Sequence, residues 1–167
     1  MAFAAGLVTM VARSSRDSWD EASGVAAQAL ALQDRAARLA HVDAEAWEEA
    51  LSALRNAGDG DGHASDGERR DHELERKLER AAAVPLQIAE LGADTAALAV
   101  HAGELCDGAH RADVAAAAAL AAGGARAAAH LVEVNLGMRD GDERLARARA
   151  SEQAASEAAG RLLASVR

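Results

Sequence analysis

Residues 112–136, ADVAAAAALAAGGARAAAHLVEVNL, decide the fold of this chain. They are almost all small, and alanine is the strongest helix former. As one helix, residues 114–136 extend about 35 Å at ~1.5 Å per residue. Asp113 lies just before the alanine run, where it is typical of a helix N-cap. Because small side chains let other helices approach closely, the stretch predicts the central helix of an all-helical domain.

The composition of the whole chain supports helices over sheets. Half of the 167 residues are hydrophobic, mostly alanine, and only 2% are aromatic. A sheet core would need more β-branched and aromatic residues. We therefore predict an all-α fold, a multi-helix bundle of five to six helices in one domain over residues 1–167. Its alanine-rich helices bury little surface each, so we expect a homodimer.

Charge and cysteine content restrict the partners and the location. A net charge of −9 argues against nucleic-acid binding, which needs a basic surface. Residues 2–12 are apolar but too short to span a bilayer, and the alanine-rich stretch carries Asp113, Arg126 and His130. Cys106 has no second cysteine to pair with, and no signal peptide is evident. These features predict a cytoplasmic protein with no membrane and no nucleic-acid partner.

Helical spacing of apolar residues recurs along the chain, at residues 2–12, 25–40, 46–54, 68–101 and 142–166. Between these segments we expect a break at residues 41–43, with Asp43 as the N-cap of the next helix. The Gly- and Asp-rich residues 56–67 predict a solvated loop, and 103–110 and 137–141 predict shorter breaks. Pro85 should kink its helix or begin a new one.

Motifs of the common enzyme classes are missing. The sequence has no hydrolase elbow, P-loop or dinucleotide fingerprint. His101, Cys106 and His110, with Asp107, suggest a zinc cluster, but their spacing matches no familiar template. We therefore predict no metal site.

Lone polar residues within apolar surroundings are the remaining candidates for chemistry. They are Asp43, Glu90, Asp113, His130 and Asn135. All of them except His130 also have a plain structural explanation. Helix caps account for both aspartates, a solvated face for Glu90 and a helix stop for Asn135.

Four blocks of sequence carry a family resemblance. Residues 81–99 are AAAVPLQIAELGADTAALA and resemble an Ala-x-x-Val-Pro-Leu-x-x-Ala-Glu motif. Residues 42–55 resemble an Asp-x-x-Ala-Phe block, with Trp47 at the Phe position. The central stretch resembles a Ser-Asp-x-x-Val/Ala-Ala segment that ends in Asn-Val-x-Ile-Asn-Leu. Residues 2–12 with Arg13 match the helix after a glycine-rich opening. By their order and spacing along the chain, the four blocks resemble the cyclodeaminase/cyclohydrolase family, which includes the cyclodeaminase domain of formiminotransferase-cyclodeaminase and stand-alone methenyltetrahydrofolate cyclohydrolases.

The chain departs from the family pattern at several points. The Pro-Gly-Gly-Gly-Ser opening expected just before Met1 is missing, so we expect either a start placed too late or the loss of part of the folate site. Ala112 replaces the serine before the central aspartate, Leu131 replaces the first asparagine of the closing motif, and a lysine common near Asn56 is missing.

The resemblance implies a folate one-carbon enzyme, a formiminotetrahydrofolate cyclodeaminase or a methenyltetrahydrofolate cyclohydrolase. A tetrahydrofolate derivative would be the substrate, with no permanently bound cofactor. Asp113 is the first candidate for the general acid or base, and Asp43 is the second. Other positions would bind substrate: Asn135 the pterin or an amide, Glu90 ring nitrogens, and Arg13, Arg111 and Arg126 the glutamate tail. The alternative is a degenerate, non-catalytic family member that acts as a helical ligand-binding or interaction protein.

Overall fold

The computed structural model describes residues 1–58, 64–137 and 142–165, with side chains for all of these except 56–58 and 64–71. Its described residues form five α-helices and no strand, which confirms the all-α prediction. The helices are α1 (Ala2–Ser14), α2 (Ala22–Gly58), α3 (Ala64–Leu105), α4 (Arg111–Leu136) and α5 (Glu143–Ser165), with a short 3-10 helix at Gly108–His110 before α4.

The core is built mainly from alanine, with valine and leucine, and α4 lies at its centre. α4 packs mainly against α3 and α5 and also contacts α1. Val114 and Val132 are fully buried near its two ends, with alanines between them. A Cβ added at Gly92 of α3 would lie 2.8 Å from Ala125 Cβ, so the two helices approach very closely. The opposite face of α4 is exposed in this chain, at Leu120, Ala127 and Val134 among others.

The predicted break at residues 41–43 is wrong. α2 runs without interruption from Ala22 to Gly58, so Asp43 lies in the middle of a helix and caps nothing. The physical reason is a stripe of packed residues that crosses the expected break at alternating spacings of three and four. Its members are Ala36, Leu39, Asp43, Ala46, Ala50 and Ala53. Packing along this stripe keeps the helix continuous.

Three other helix limits differ from the prediction, namely the end of α2 and both ends of α3. α3 is one helix with Pro85 inside it, so Pro85 does not begin a new segment. α2 extends to Gly58 and α3 begins at Ala64, so both helices enter the expected loop at 56–67, whose residues 59–63 lie outside the described residues. The break at 103–110 is shorter than predicted, since α3 continues to Leu105.

α4 begins at Arg111, two residues before Asp113. Asp113 therefore lies in the first helical turn, and the prediction that it is the N-cap is wrong. Its Oδ2 lies 3.5 Å from His110 Nδ1. The start of α5 agrees with the prediction, because Asp142 Oδ1 accepts a hydrogen bond from the Arg144 backbone N–H at 2.9 Å. Gly137, with φ of +66°, ends α4; the remaining residues of the expected turn, 138–141, and Val166 lie outside the described residues.

Two segments, His72–Leu105 and Gly108–Leu136, are long and apolar enough to cross a membrane by length and composition alone. They correspond to α3 and α4, which form the centre of the bundle. Core helices of ordinary helical domains pass the same test, so these segments are not evidence of membrane spanning.

Candidate functional site

A cavity of about 380 Å³ opens between α2, α3 and α4. It exists because the helices present small residues to one another here, namely Ala40, Ala44 and Ala81. Larger side chains border it, and two polar ones face it. Its lining comprises Ala40, Asp43, Ala44, Trp47, Ala81, Pro85, Leu131, Val134 and Asn135.

Asp43 supplies the acidic group of the cavity. It occupies a core-facing position on the α2 stripe, between Leu39 and Ala46, and is half-buried. This burial raises the pKa of its carboxyl above the ordinary value of 3.8. Among the described residues, no ion pair or hydrogen bond holds the Asp43 side chain. It is therefore a carboxyl group that is free to exchange a proton with a bound ligand.

Asn135 lies across the cavity, in the last turn of α4. Its Nδ2 donates a hydrogen bond to the backbone carbonyl of Ala81 in α3 at 3.1 Å. This bond ties the end of α4 to α3 and holds the amide at the cavity wall. The structure thus brings together two of the residues predicted from sequence, Asp43 and Asn135.

Apolar side chains form the rest of the wall. Trp47 is 42% exposed, and Leu131 and Val134 are also exposed. Trp47 is the largest of these three side chains, and its indole ring is a flat, mainly apolar surface. A cavity of this kind, apolar with a few polar groups, is typical of sites for small organic molecules.

Asp113 is not part of this cavity. It lies in the first turn of α4, about 33 Å along the helix axis from Asn135 at ~1.5 Å per residue. Within one chain, the structure therefore does not bring Asp113 and Asn135 together. In the structure the Asp113 carboxylate contacts His110 instead.

Glu90 and the three arginines also lie elsewhere. Glu90 forms an ion pair with Arg147 of α5, and Arg126 lies 3.5 Å from Glu152 of the same helix. Arg13 borders a second cavity of about 380 Å³ between α1 and α2, and Arg111 is exposed near Cys106. Within the described part of the chain, no basic side chain lines the cavity that contains Asp43.

The residues considered for zinc do not form a metal centre in the described part of the chain. No group of three or more histidine, cysteine, aspartate or glutamate side chains lies close enough there to hold a metal ion. Cys106 is buried, and burial is the main reason that the pKa of its thiol is raised, opposed by the nearby Arg111.

Sequence reasoning missed the apolar part of the site, formed by Trp47, Leu131 and Val134. Trp47 and Leu131 had been noted only as departures from a family pattern. A signal was available in the α2 stripe, where a charged residue occupies a position that helical spacing assigns to the packed face. Such a misplaced carboxyl indicates a functional group more strongly than a cap does.

Comparison with known proteins assigns the fold to a family. The sequence model described as formiminotransferase-cyclodeaminase matches residues 1–155. The chain belongs to the formiminotransferase-cyclodeaminase family. Among solved structures it is similar to the formiminotetrahydrofolate cyclodeaminase from Thermotoga maritima, with a TM-score of 0.77 and 21% identity over 99% of this chain and 83% of that one. This likeness shows a shared fold. The search of curated proteins finds no match.

Proposed function

We propose that this family member is a formiminotetrahydrofolate cyclodeaminase and that the cavity between α2, α3 and α4 is its active site. The observation that carries the proposal is the half-buried Asp43 carboxyl, with its raised pKa, at the wall of an apolar cavity. Family membership supports the fold and the substrate class. The geometry favours Asp43 over Asp113 as the catalytic group.

The reaction requires one proton to move between two nitrogens of the substrate. N10 attacks the carbon of the formiminium group, and a C–N bond forms. N10 then loses its proton, and the former imine nitrogen gains one. The bond between the carbon and the former imine nitrogen breaks, which releases ammonia. N10 thus releases one proton, and the leaving group needs one proton. A carboxylate between the two nitrogens can relay it, and such transfer contributes about 10²–10⁴-fold to the rate.

Asp43 suits this relay because of its surroundings. As a carboxylate it accepts the proton from N10, and burial makes the protonated form easier to reach during turnover. A neighbouring cation would stabilise the carboxylate and make it a weaker base, but the described lining residues include no cation. The Trp47 ring face supports a flat heterocycle beside it.

The test is conversion of 5-formiminotetrahydrofolate to the methenyl form, followed by absorbance. Asp43→Asn should lower kcat/KM by about 10²–10⁴-fold, since the amide cannot relay a proton. Asp34→Asn makes the same change at an exposed position of α2 and should retain the wild-type rate. A loss of activity in Asp113→Asn together with an active Asp43→Asn would return the catalytic role to the other end of α4 and contradict the proposal.

Methenyltetrahydrofolate cyclohydrolase activity is measured with the same equipment, as loss of methenyltetrahydrofolate above the spontaneous rate. In that reaction a carboxylate at Asp43 would act as the base for the attacking water. If the protein accelerates only this reaction, the site is retained but the substrate assignment is wrong.

A non-catalytic family member is the second candidate. The observation in its favour is Leu131, an apolar side chain at the cavity where the family pattern places an asparagine. Under this candidate the wild-type protein would bind a tetrahydrofolate without converting it. Isothermal titration together with the absorbance assay separates the two, because binding with no turnover above background excludes the enzyme.

The proposal includes a homodimer in the cytoplasm. Phe3, for example, is 71% exposed, and Leu120 on the outer face of α4 is 46% exposed. Exposed apolar residues at several places are expected to be covered by a second copy. Light scattering should give twice the chain mass of 17.1 kDa. A mass equal to one chain at micromolar concentration would contradict it.

A further inference from the structure

Pro85 lies inside α3 at the wall of the cavity, and its side chain is fully buried. In a regular helix, the backbone N–H of residue 85 would donate to the carbonyl oxygen of residue 81. Proline has no N–H, so it leaves the Ala81 carbonyl without this donor. A buried carbonyl without a partner is costly, and another donor must approach it.

The side chain of Asn135 provides that donor. Its Nδ2 lies 3.1 Å from the Ala81 oxygen, which is the carbonyl that Pro85 cannot serve. Because a carbonyl oxygen only accepts, the NH₂ end of the amide must face α3. The other end, Oδ1, is the acceptor that remains for the cavity, and no partner within the described residues occupies it.

We propose that Pro85 is a positioning residue that fixes Asn135 as a hydrogen-bond acceptor toward the cavity and thereby selects a ligand with N–H donors. A free asparagine amide can turn either end to a ligand and so discriminates poorly between donors and acceptors. Locked by Ala81, it presents oxygen only. The site then rejects a ligand that offers a carbonyl oxygen at the same place.

The remaining lining restricts which part of a ligand is recognised. Asp43 is the other polar side chain of the cavity, and the described lining residues include no basic group that would hold a carboxylate tail. Asn135 Oδ1 and the Trp47 ring fit a flat heterocycle that bears an amino group, and Asp43 is left for the proton relay at the reacting nitrogens. The 2-amino group of a pterin is such a donor. This choice of ligand rests on the proposed function, whereas the coupling of Pro85 to Asn135 does not.

The first experiment tests the coupling without any ligand. In wild-type protein the Asn135 side-chain NH₂ resonances, assigned in ¹⁵N spectra with Asn135→Leu, should show the shift of a hydrogen-bonded amide. Pro85→Ala restores the backbone N–H to Ala81 and should move these resonances toward the values of a free side chain. Gln87→Ala is the control, since Gln87 Nε2 donates to the Ala83 carbonyl of the same helix at an exposed position.

A second variant pair protects the test against a simple folding defect. Asn135→Asp places a second oxygen against the free Ala81 carbonyl and should lower the thermal midpoint. In the Pro85→Ala background that carbonyl already has its helical donor, so Asn135→Asp should lower the midpoint less. Equal losses in both backgrounds would show that Pro85 and Asn135 are not coupled and would overturn the inference.

Ligand selection is tested by comparing pterin with lumazine, its 2-oxo analogue, through quenching of tryptophan fluorescence. Wild-type protein should bind pterin at least about tenfold more tightly, because lumazine sets an oxygen against Asn135 Oδ1. Pro85→Ala and Asn135→Leu should lose most of this preference, and Gln87→Ala should keep it.

The outcomes for this inference and for the proposed function are distinguishable. Pterin selectivity that depends on Pro85, in a protein with no cyclodeaminase turnover, supports the positioning role and contradicts the enzyme. Turnover with unchanged resonances and unchanged selectivity in Pro85→Ala supports the enzyme and overturns the positioning role.

Discussion

Asp43 lies on a stripe of α2 whose other members are alanines and a leucine, and this placement sets function against stability. The carboxyl is half-buried without a described partner, so its ionised form is less favourable in the folded protein than in the unfolded chain. A residue that serves only the fold at this position would be apolar. Under the proposed function, the carboxyl is present because its proton is used in the reaction, at a modest cost to the stability of the folded state.

Replacing this carboxyl should therefore stabilise the protein at neutral pH. The folded-state pKa of Asp43 is raised above 3.8, so the folded protein binds this proton more tightly than the unfolded chain does. The contribution of the protonated carboxyl to the free energy of unfolding is therefore complete below pH 3.8. It is lost as the pH rises through the folded-state pKa. Asp43→Asn should raise the thermal midpoint by about 1–2 °C at pH 7 and by less as the pH falls toward 4. Circular dichroism at several pH values measures this; a lower midpoint at pH 7 would contradict it.

At the scale of the helix, the close contact of α3 and α4 depends on particular glycines. A Cβ at Gly92 would lie 2.8 Å from Ala125 Cβ and 3.0 Å from the Ala121 carbonyl oxygen, and backbone cannot move aside cheaply. A Cβ at Gly123 would meet nothing within 4 Å. The neighbouring Gly124 differs from Gly123, since a Cβ added at Gly124 would contact the Met1 side chain.

This difference predicts opposite effects of the same substitution. Gly92→Ala should destabilise the fold by about 1–3 kcal/mol through overpacking. Gly123→Ala should stabilise it by about 0.5–1 kcal/mol, because alanine loses less backbone entropy in a helix. Urea denaturation of the two variants measures both values. Similar changes in the two free energies of unfolding would show that α3 and α4 are not as close as the structure has them.

Local sequence rules predicted which segments are helical better than where the helices end. Alanine content and apolar spacing identified every helix, because both act within a few turns. Asp43 and Asp113 were taken as caps, since an aspartate before an apolar run is the usual cap signal. In α2 the packed stripe prevailed over that local preference, and the chain remained helical. Pro85 likewise stays inside α3, with Asn135 satisfying the carbonyl that it frees.

For the molecule as a whole, the bundle decides which polar residues meet. Asp43, Asp113 and Asn135 look alike in sequence, as lone polar residues among alanines. Only the packing of α2 against α3, and of α3 against α4, places Asp43 and Asn135 at one cavity and leaves Asp113 at the far end of α4. The fold class was predictable from the sequence. Which polar residues share a cavity was not, because no short motif encodes the packing of helices that are distant in the chain.

The most direct test of Asp43 as the proton relay is the pH dependence of kcat/KM for cyclodeamination. Among the described residues that line the cavity, Asp43 is the one side chain that titrates in the acidic range. The wild-type profile should fall at low pH with an apparent pKa above 3.8, and Asp43→Asn should show a much lower rate that no longer falls there. An unchanged acidic limb in Asp43→Asn, at a rate close to that of wild type, would contradict the account.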